Sequence, residues 1–528
     1  MTSYPISSAS RPLFYPTAGG GGTRVEKDTM GEMPVPADVL YGASTQRAVL
    51  NFPVSGRIVP EGVLKAYGTL KAACARMNHK LGRLDDARTK AIVDACAEIE
   101  AGLPDRGGLA KHFPIDIYQT GSGTSTNMNA NEVIANLSAI RSGNPIGKSK
   151  DPEYIKKGGV HPNDHVNMGQ SSNDTFPTSM NIAAAVAIKN HLLPAVQAMA
   201  AELESKAKAW DKIVKIGRTH LADATPIRLG QEFSGYASQL RHAEERLNRS
   251  VQTLGELALG GTAVGTGINC HEEFGKLVAA ELAHRTGIHF REASNHFEAQ
   301  HARDCYVEAS GHLRTLAVSL TKIANDIRWM GSGPRCGIGE LMLPAVQPGS
   351  SIMPGKVNPV ICESLMMVCC QVVGNDAAVT MGGLGGIGSL LDLNVAMPVM
   401  AANLLDSIGL LANGCKMFTK NLLQTHNGDP STGLPPSPGL QANEKRCAEL
   451  IEGALAMCTS VGPVIGYDKS AALAKDAFKQ GMTVRQLAYE TIVGQKDNAG
   501  NTITKGDIDK YLDPWSMTLP GGEGSAGG

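Results

Sequence analysis

The chain has 528 residues, a formal net charge of −1, 42% hydrophobic residues and 19% charged residues. This near-neutral balance, with no basic run of five or more residues, argues against a nucleic-acid or membrane-surface partner. No uninterrupted stretch of 18 apolar residues occurs, which argues against a membrane span. At roughly 150 residues per domain, the length predicts about three domains.

The ends of the chain and the cysteines indicate the cellular setting. Residues 1–28 are rich in Ser, Pro and Gly and are predicted to form a disordered arm, and the Gly-rich tail 520–528 is predicted to be flexible. The 11 cysteines form no C-x-x-C pair, so neither a zinc nor an iron–sulfur site is expected. We expect a cytoplasmic protein, or a mitochondrial-matrix protein if the arm is a transit peptide.

The predicted elements are helices almost throughout. An N-terminal domain, 29–169, contains helices over 62–80 and 86–101, separated by Gly- and Pro-rich loops. Small side chains abound and aromatics make up only 5% of the chain, which favours helices over sheets. The sequence therefore predicts an all-α fold.

A central domain, 170–427, is predicted to be a bundle of long helices. Apolar residues recur every three or four positions, which marks one buried face of a helix. Three such stripes are Val196, Met199, Leu203, Ala207 and Trp210; Tyr236, Leu240, Ala243, Leu247 and Leu254; and Leu313, Leu316, Leu320, Ile323, Ile327 and Met330. Pro194 stands at a plausible first-turn position for the first of these helices. Residues 363–373 are apolar nearly all round, which predicts a helix buried on every side, at the centre of a bundle or an oligomer.

A small C-terminal domain, 428–519, is predicted after the break at Asn427-Gly428-Asp429-Pro430. It carries short helices. Thr483 and Gln486 have the spacing of a capping box, in which each side chain bonds the other residue's backbone N–H, and they follow a helix-ending Gly481.

Four polar segments lie where helices are expected to begin, and helix N-termini attract carboxylates and phosphates. The first is 119–127, containing Ser122, Gly123 and Thr124. The second is 161–174, containing Ser171, Ser172 and Asn173. Two His and two Asp in the second segment suggest a metal, but their spacing fits no standard ligand set. A site of hydroxyls and amides that binds carboxylates is the preferred interpretation, with no metal and no cofactor.

The other two segments carry the candidate proton-transfer groups. In 217–226, His220 follows Thr219 in a polar loop; a lone His is more often structural, but this setting makes a catalytic role about equally expected. In 348–359, Ser350, Ser351, Lys356, Val357 and Asn358 lie in a shaped Gly- and Pro-rich loop whose donors can converge on a small anion. Glu363, one turn into the apolar helix, is predicted to be a buried carboxylate that needs a partner, such as a histidine.

These motifs resemble those of a known superfamily. GSSIMPGKVNP at 349–359 is similar to the motif shared by fumarase, aspartase and related lyases. HPNDHVN with QSSND, GRTHLADATP with LGQEFSGY, and GPVIGYDKSA resemble class II fumarases in particular. The resemblance extends from about residue 31 to about residue 517. It implies three helical domains, with the central bundles of four subunits packed into one core, and active sites assembled from three chains of a homotetramer.

The resemblance also implies an activity, the reversible hydration of the dicarboxylate fumarate to L-malate by metal-free general acid–base chemistry. Ser350 would remove the C3 proton of malate, His220 would handle the hydroxyl, and Glu363 would orient His220. The remaining site residues would bind the substrate, with Lys356 and Asn358 stabilising the carbanion-like intermediate. The family implies a possible second anion site at His161, Asn163 and Asp164.

Two alternatives remain at this stage. Another lyase of the superfamily, such as an aspartate ammonia-lyase, would release ammonia. The Thr219-His220 pair and Gly355 argue against it, since the aspartase branch typically has Gln and Ala at the positions of His220 and Gly355. A catalytically inactive structural homologue is also possible, although the candidate catalytic residues are all present.

Overall fold

The computed structural model describes residues 22–433 and 435–520. Most of the predicted arm and tail lies outside these residues. Strand β1 (Thr23–Asp28) pairs antiparallel with β2 (Gly31–Pro36), and Asp28 faces Gly31 across a two-residue turn. The prediction of disorder is therefore wrong for residues 23–28, where strand pairing supplies order that composition does not reveal.

Helices follow in the order expected. The N-terminal part contains α1 (Ala43–Asn51), α2 (Glu61–Lys80), α3 (Asp86–Glu100), α4 (Leu109–His112), α5 (Thr124–Arg141) and α6 (Pro152–Lys156). The predicted helices over 62–80 and 86–101 agree with α2 and α3 to within a residue. Asp85 caps α3 by accepting a hydrogen bond from the backbone N–H of Arg88.

The central part holds the longest helices. They are α7 (Ser172–Ala187), α8 (Leu193–Ala209), α9 (Leu229–Thr253), α10 (Phe274–Thr286), α11 (His296–His301), α12 (Asp304–Met330), α13 (Val360–Gly383) and α14 (Met397–Phe418). Wider helical turns at Ile188–Leu192 join α7 to α8 without a break. Pro194 therefore stands in the first turn of α8, as predicted, although the helical stretch continues unbroken from Ser172 to Ala209.

Short strands connect these helices. They are β3 (Val214–Thr219), β4 (Ala222–Arg228), β5 (Glu256–Leu257), β6 (Arg291–Glu292), β7 (Leu341–Met342), β8 (Ser389–Leu390), β9 (Leu393–Asn394) and β10 (Gln441–Ala442). They form two-stranded pairs: β3 with β4, β5 with β6, β7 with β10, and β8 with β9. The all-α class is confirmed, since no sheet of the described chain exceeds two strands.

The C-terminal part contains α15 (Glu444–Gly453), α16 (Gly462–Ile465), α17 (Tyr467–Gln480), α18 (Val484–Thr491) and α19 (Lys505–Tyr511). The predicted capping box at Thr483 and Gln486 is confirmed, because each side chain bonds the other residue's backbone N–H. Gly481 ends α17 in the left-handed conformation at φ 65°. Leu473, Val484 and Ile508 pack in one buried apolar core in this part.

Internal contacts divide the described residues into two compact units. Unit 1 contains residues up to Pro194, Glu244–Ala317 and Val368–Ala412. Unit 2 contains Ala195–Ala243, Val318–Met367 and residues from Asn413 onward. The three-domain division, with boundaries after 169 and 427, stays a prediction.

The apolar stripes are buried as predicted except at Ala207, which is half-buried, and Leu316, Leu320 and Ile323 are fully inaccessible. Helix α13 differs from the prediction that it is buried on every side. Within one chain, the side chains of Met367, Val373 and Met381 are 68%, 46% and 49% exposed. By length and composition alone, α13 and the stretch Ser172–Ala209 could each cross a membrane, a test that core helices also pass.

Candidate functional site

In unit 1, the first two polar segments lie side by side at the start of two helices. The Ser122 hydroxyl lies 2.8 Å from the Thr124 hydroxyl, which lies 2.8 Å from that of Ser172. Helix α5 begins at Thr124 and α7 at Ser172. A continuous row of hydroxyls therefore joins two helix N-termini, where backbone N–H groups and the helix dipoles favour a carboxylate.

Two glycines make this arrangement possible. A Cβ on Gly121 would lie 1.6 Å from the carbonyl oxygen of Val395. Gly123 has φ +73°, and a Cβ there would lie 2.0 Å from the ring of Phe176. A side chain at Gly121 would clash with the backbone at Val395, and one at Gly123 would clash with Phe176 of α7.

Ser171 and Asp174 form a capping box at the start of α7. The Ser171 N–H donates to Asp174 Oδ1 (2.9 Å), and the Ser171 hydroxyl accepts from the backbone N–H of Asn173 (3.2 Å). The second oxygen of Asp174 accepts from the backbone N–H groups of Thr262 (2.9 Å) and Gly260 (3.2 Å). Burial raises the pKa of Asp174 to about 6. This carboxyl thus fixes the predicted binding residues against the 260–263 loop.

These groups border a cavity of about 420 Å³ within unit 1. Its lining includes the predicted residues Thr124, Ser171, Ser172 and Asn163, together with Asn127, Asn131, Asn167, Gln170 and Thr262. Such a lining of hydroxyls and amides, between helix N-termini, suits a small polar anion. Asn173 donates to the carbonyl of Ala263 instead (2.7 Å).

Beneath this cavity lies a lysine that the sequence reasoning missed. Lys71 of α2 is fully buried and donates to Asn167 Oδ1 and Gln170 Oε1, both at 2.9 Å. Burial lowers the pKa of Lys71 to about 8. A signal was present, because Tyr67, Lys71 and Cys74 share the helical spacing of the buried face of α2.

The predicted second anion site lies on a short helical turn, Pro162–Val166. His161 Nδ1 accepts from the Asp164 backbone N–H and lies 3.1 Å from Asp164 Oδ2. Burial lowers the pKa of His161. Asp164 is exposed, and Asn163 borders the cavity described above. Within the described residues, no group of three or more His, Cys, Asp or Glu could hold a metal ion.

In unit 2, Thr219 and His220 lie at the tip of a β-hairpin, where a polar loop was predicted. Thr219 pairs with Ala222, so that His220 and Leu221 form a two-residue turn with φ 59° and 61°. Positive φ at both positions is typical of a type I′ turn, whose twist suits a hairpin. Non-glycine residues are strained in this conformation and often mark functional sites. The hairpin presents His220 to solvent.

A buried ionic cluster supports this hairpin from below. The Arg218 guanidinium donates to both carboxylate oxygens of Glu340 at 2.9 Å, and Glu340 is fully buried. Lys215 Nζ lies 3.4 Å from Glu340 and 3.2 Å from Glu232. Burial raises the pKa of Glu232, an effect that Lys215 opposes. The cluster was not predicted, although it determines where His220 stands.

The fourth segment forms a closed loop in unit 2. Ser350 Oγ accepts hydrogen bonds from the backbone N–H groups of Ile352 (3.2 Å) and Met353 (3.0 Å). Asn358 donates to the carbonyl of Gly349 (2.5 Å), and a Cβ on Gly349 would lie 2.0 Å from the Lys356 carbonyl oxygen. Ser351, Lys356 and Val357 are exposed. The loop therefore leaves the Lys356 ammonium available to an anion while its backbone surrounds Ser350.

Glu363 does not match its prediction within one chain. It lies in the first turn of α13, as expected, but its side chain is exposed rather than buried. The apolar composition of α13 predicts a buried environment for Glu363, whereas this end of the helix is uncovered in a single chain.

Comparisons with known proteins identify the family. The family described as "Lyase" matches residues 31–374, and the family described as "Fumarase C C-terminus" matches residues 457–519. The class II fumarate hydratases of Corynebacterium efficiens and Mycobacterium tuberculosis are each 49% identical to this chain, covering 94% of it and 96% of the relative. The crystal structure of class II fumarase from Schistosoma mansoni superposes with a TM-score of 0.84 at 36% identity, covering 94% of this chain and 100% of that one.

Fold and family together define a helical lyase. Within that class, the chain belongs to the class II fumarate hydratase family. The resemblance inferred from its motifs is thereby confirmed.

Proposed function

We propose that this protein is a fumarate hydratase that interconverts fumarate and L-malate. The observation that carries the proposal is the 49% identity to curated class II fumarate hydratases over 94% of the chain. The site geometry supports it, since unit 1 offers hydroxyl and amide donors for carboxylates and unit 2 offers candidate proton-transfer groups. Other lyases of the superfamily would need a different partner for the leaving group.

Ser350 is the proposed base that takes the C3 proton of malate. The hydroxyl of a serine is a weak base, because its conjugate alkoxide is costly in water. Here two backbone N–H groups already point at Ser350 Oγ, and Lys356 lies in the same loop. These donors would stabilise the alkoxide form and lower the pKa of the hydroxyl.

The remaining steps move the electron pair of the broken C3–H bond and release water. When the C3–H bond breaks, its electron pair moves into the adjacent carboxylate, where Lys356 and Asn358 stabilise the added negative charge. That electron pair then forms the C2–C3 double bond as the C2–O bond breaks, and His220 protonates the departing hydroxyl to give water. Glu363 is proposed to orient His220. This contact would form in a complete oligomer rather than within one chain.

We further propose a homotetramer whose active sites are shared between subunits. The exposed apolar face of α13, formed by Met367, Val373 and Met381, supports this, because such a face is costly in water and typical of an interface. His161, Asn163 and Asp164 are proposed as a second anion site. All 11 cysteines are free thiols, which supports a reducing, cytoplasmic location.

One assay tests the activity. Purified protein is offered fumarate, L-malate and L-aspartate in turn, with fumarate followed by its ultraviolet absorbance. We expect turnover of fumarate and L-malate and none of L-aspartate. Ammonia release from L-aspartate would favour the aspartase alternative, and no turnover of any substrate would favour an inactive homologue.

A second assay tests the metal-free mechanism. We expect unchanged activity after exhaustive EDTA treatment and dialysis, because Lys356, Asn358 and loop amides can supply the charge stabilisation that a metal would otherwise provide. Loss of activity that iron or zinc restores would contradict this mechanism.

A further inference from the structure

Two buried polar atoms at the unit 1 cavity have no partner among the described residues. They are Asn131 Oδ1 and Thr262 Oγ1. Both residues border the 420 Å³ cavity, and only 1% and 4% of their surfaces are exposed. A buried polar atom without a hydrogen bond costs about 1–3 kcal/mol, so native proteins rarely keep one without a reason. The two atoms therefore point to a ligand group.

Lys71 explains why the oxygen of Asn131 is left over. An ammonium can only donate, so Asn167 must present its side-chain oxygen to Lys71. Asn127 and Asn131 then donate their amide N–H groups to that same oxygen, each at 3.2 Å. The amide oxygen of Asn131 is consequently turned away from Asn167, and the orientation follows from hydrogen bonding rather than from an arbitrary choice of rotamer.

Asn127 borders the same cavity, but both polar atoms of its side-chain amide have hydrogen-bond partners. Its Nδ2 makes the same bond to Asn167. Its Oδ1, however, accepts from the hydroxyl of Thr175 (3.1 Å). Of these two asparagines, Asn131 therefore is the one whose amide oxygen has no partner among the described residues.

The backbone of Thr262 is strained. Its backbone has φ 53°, which is unfavourable for a β-branched residue. The backbone is held there by the Thr262 N–H bond to Asp174 and by Gln300, which donates to the Thr262 carbonyl (2.9 Å). These contacts fix the backbone of Thr262 and leave its hydroxyl unused.

We propose that Asn131 and Thr262 form a subsite for a hydroxyl group, and that Lys71 positions Asn131 for it. An unpartnered amide oxygen requires a hydrogen-bond donor, which a carboxylate is not, whereas a threonine hydroxyl can donate or accept. The subsite thus suits the alcohol of a hydroxy-dicarboxylate, or a water molecule in its place. The inference rests on the proposed function, because it assumes that the cavity holds a C4 dicarboxylate.

The test compares two ligands that differ by one hydroxyl, L-malate and succinate. Their dissociation constants are measured by calorimetry on a full-length Ser350→Ala background, in which turnover is expected to be slowed by about 100- to 10,000-fold. We expect Asn131→Leu to raise the ratio of the L-malate to the succinate dissociation constant about fivefold, the effect of one lost hydrogen bond. Asn127→Leu, the matched control, should leave this ratio unchanged.

Thr262 provides a second pair of variants should Asn131→Leu not fold. Thr262→Val keeps the β-branched shape, and the backbone strain with it, but removes the hydroxyl. Thr262→Ser keeps the hydroxyl. The ratio of the L-malate to the succinate dissociation constant should rise in Thr262→Val and not in Thr262→Ser. A subsite that holds water instead of the ligand alcohol would weaken both ligands equally, which would overturn the assignment to the alcohol.

Failure of the subsite and failure of the proposed function give different results. If both ligands bind the background protein but the ratio stays constant in Asn131→Leu and Thr262→Val, the subsite is wrong and the proposed function stands. If neither ligand binds the background protein, both the proposed function and the subsite are wrong.

Discussion

The Ser350 hydroxyl accepts two backbone hydrogen bonds from its own loop, a geometry that prepares it to carry negative charge. Removing a general base lowers turnover by about 100- to 10,000-fold. We expect Ser350→Ala to reduce kcat within this range and to change succinate affinity by less than about threefold, since a base acts mainly in the transition state. Steady-state kinetics and calorimetry measure the two quantities.

Ser351→Ala is the matched control, because Ser351 is the adjacent exposed hydroxyl of the same loop. It should keep kcat within about tenfold of the original value. If instead Ser351→Ala loses turnover and Ser350→Ala keeps it, the base is Ser351 and the assignment is off by one residue.

His112 makes the free energy of unfolding depend on pH. Its Nδ1 accepts from the Leu40 N–H (3.0 Å), and its Nε2 donates to the Arg106 carbonyl (2.9 Å). Burial lowers its pKa to about 4. The folded ring is therefore neutral where the unfolded one is already protonated, and the free energy of unfolding falls as the pH drops from about 6.5 to about 4.

The contribution of His112 is at most about 3 kcal/mol over that range. We expect His112→Gln, which can still accept and donate, to reduce the difference in urea midpoint between pH 7 and pH 5. A variant with the same pH dependence as the unmodified protein would show that other groups cause the acid instability.

At the scale of elements, the hairpin β3–β4 holds His220 in a left-handed turn. We expect His220→Asn to lower kcat by about 100-fold or more. Asparagine tolerates positive φ, so the melting temperature should change by less than about 2 °C. His220→Val, in contrast, should lower it, because a β-branched residue is strained there. Equal losses of stability in both variants would show that the side chain, not the backbone, supports the turn.

The cluster around Glu340 is the second determinant of this hairpin. Glu340→Gln leaves the buried Arg218 and Lys215 without their carboxylate, which typically costs about 3–5 kcal/mol. We expect a corresponding loss in chemical denaturation. Asp211→Asn, which breaks the half-exposed pair with Arg228, should cost less than about 1 kcal/mol. Similar losses from both variants would contradict the role of burial.

How far the sequence reveals these elements depends on the physical signal available. The apolar stripe through Leu316 and Leu320 and the capping box at Thr483 are local patterns, and both are confirmed. The turn at His220 lacks the Asn-Gly or Asp-Gly signature of a hairpin, so a loop was predicted.

Residues that depend on distant contacts were harder to predict. In the sequence, Lys71 resembles any solvated lysine, because its partners Asn167 and Gln170 lie almost a hundred residues away. The exposure of Glu363 depends on whether another chain covers α13, and the composition of a single helix cannot specify which surface covers it.

At the scale of the whole molecule, the proposed sharing of active sites between subunits predicts that two inactive variants restore activity when mixed. A Thr124→Val chain and a Ser350→Ala chain should each be nearly inactive alone. If the proposed homotetramer draws each segment of a site from a different chain, about a quarter of the sites in mixed tetramers will be intact, given random association. We expect co-expression to restore about a quarter of the activity. No recovery in proven mixed tetramers would show that both segments of a site come from one chain.

The row of hydroxyls from Ser122 to Ser172 bears on how long a ligand stays bound. In the proposed site these neutral groups would bind one end of a dianion through short, directional dipoles, and Lys356 would be the fixed cation of the opposite, catalytic loop. Very tight binding of substrate or product would slow catalysis in both directions. A row of alcohols therefore suits a reversible reaction, in which two dianions of equal charge must leave the same site quickly.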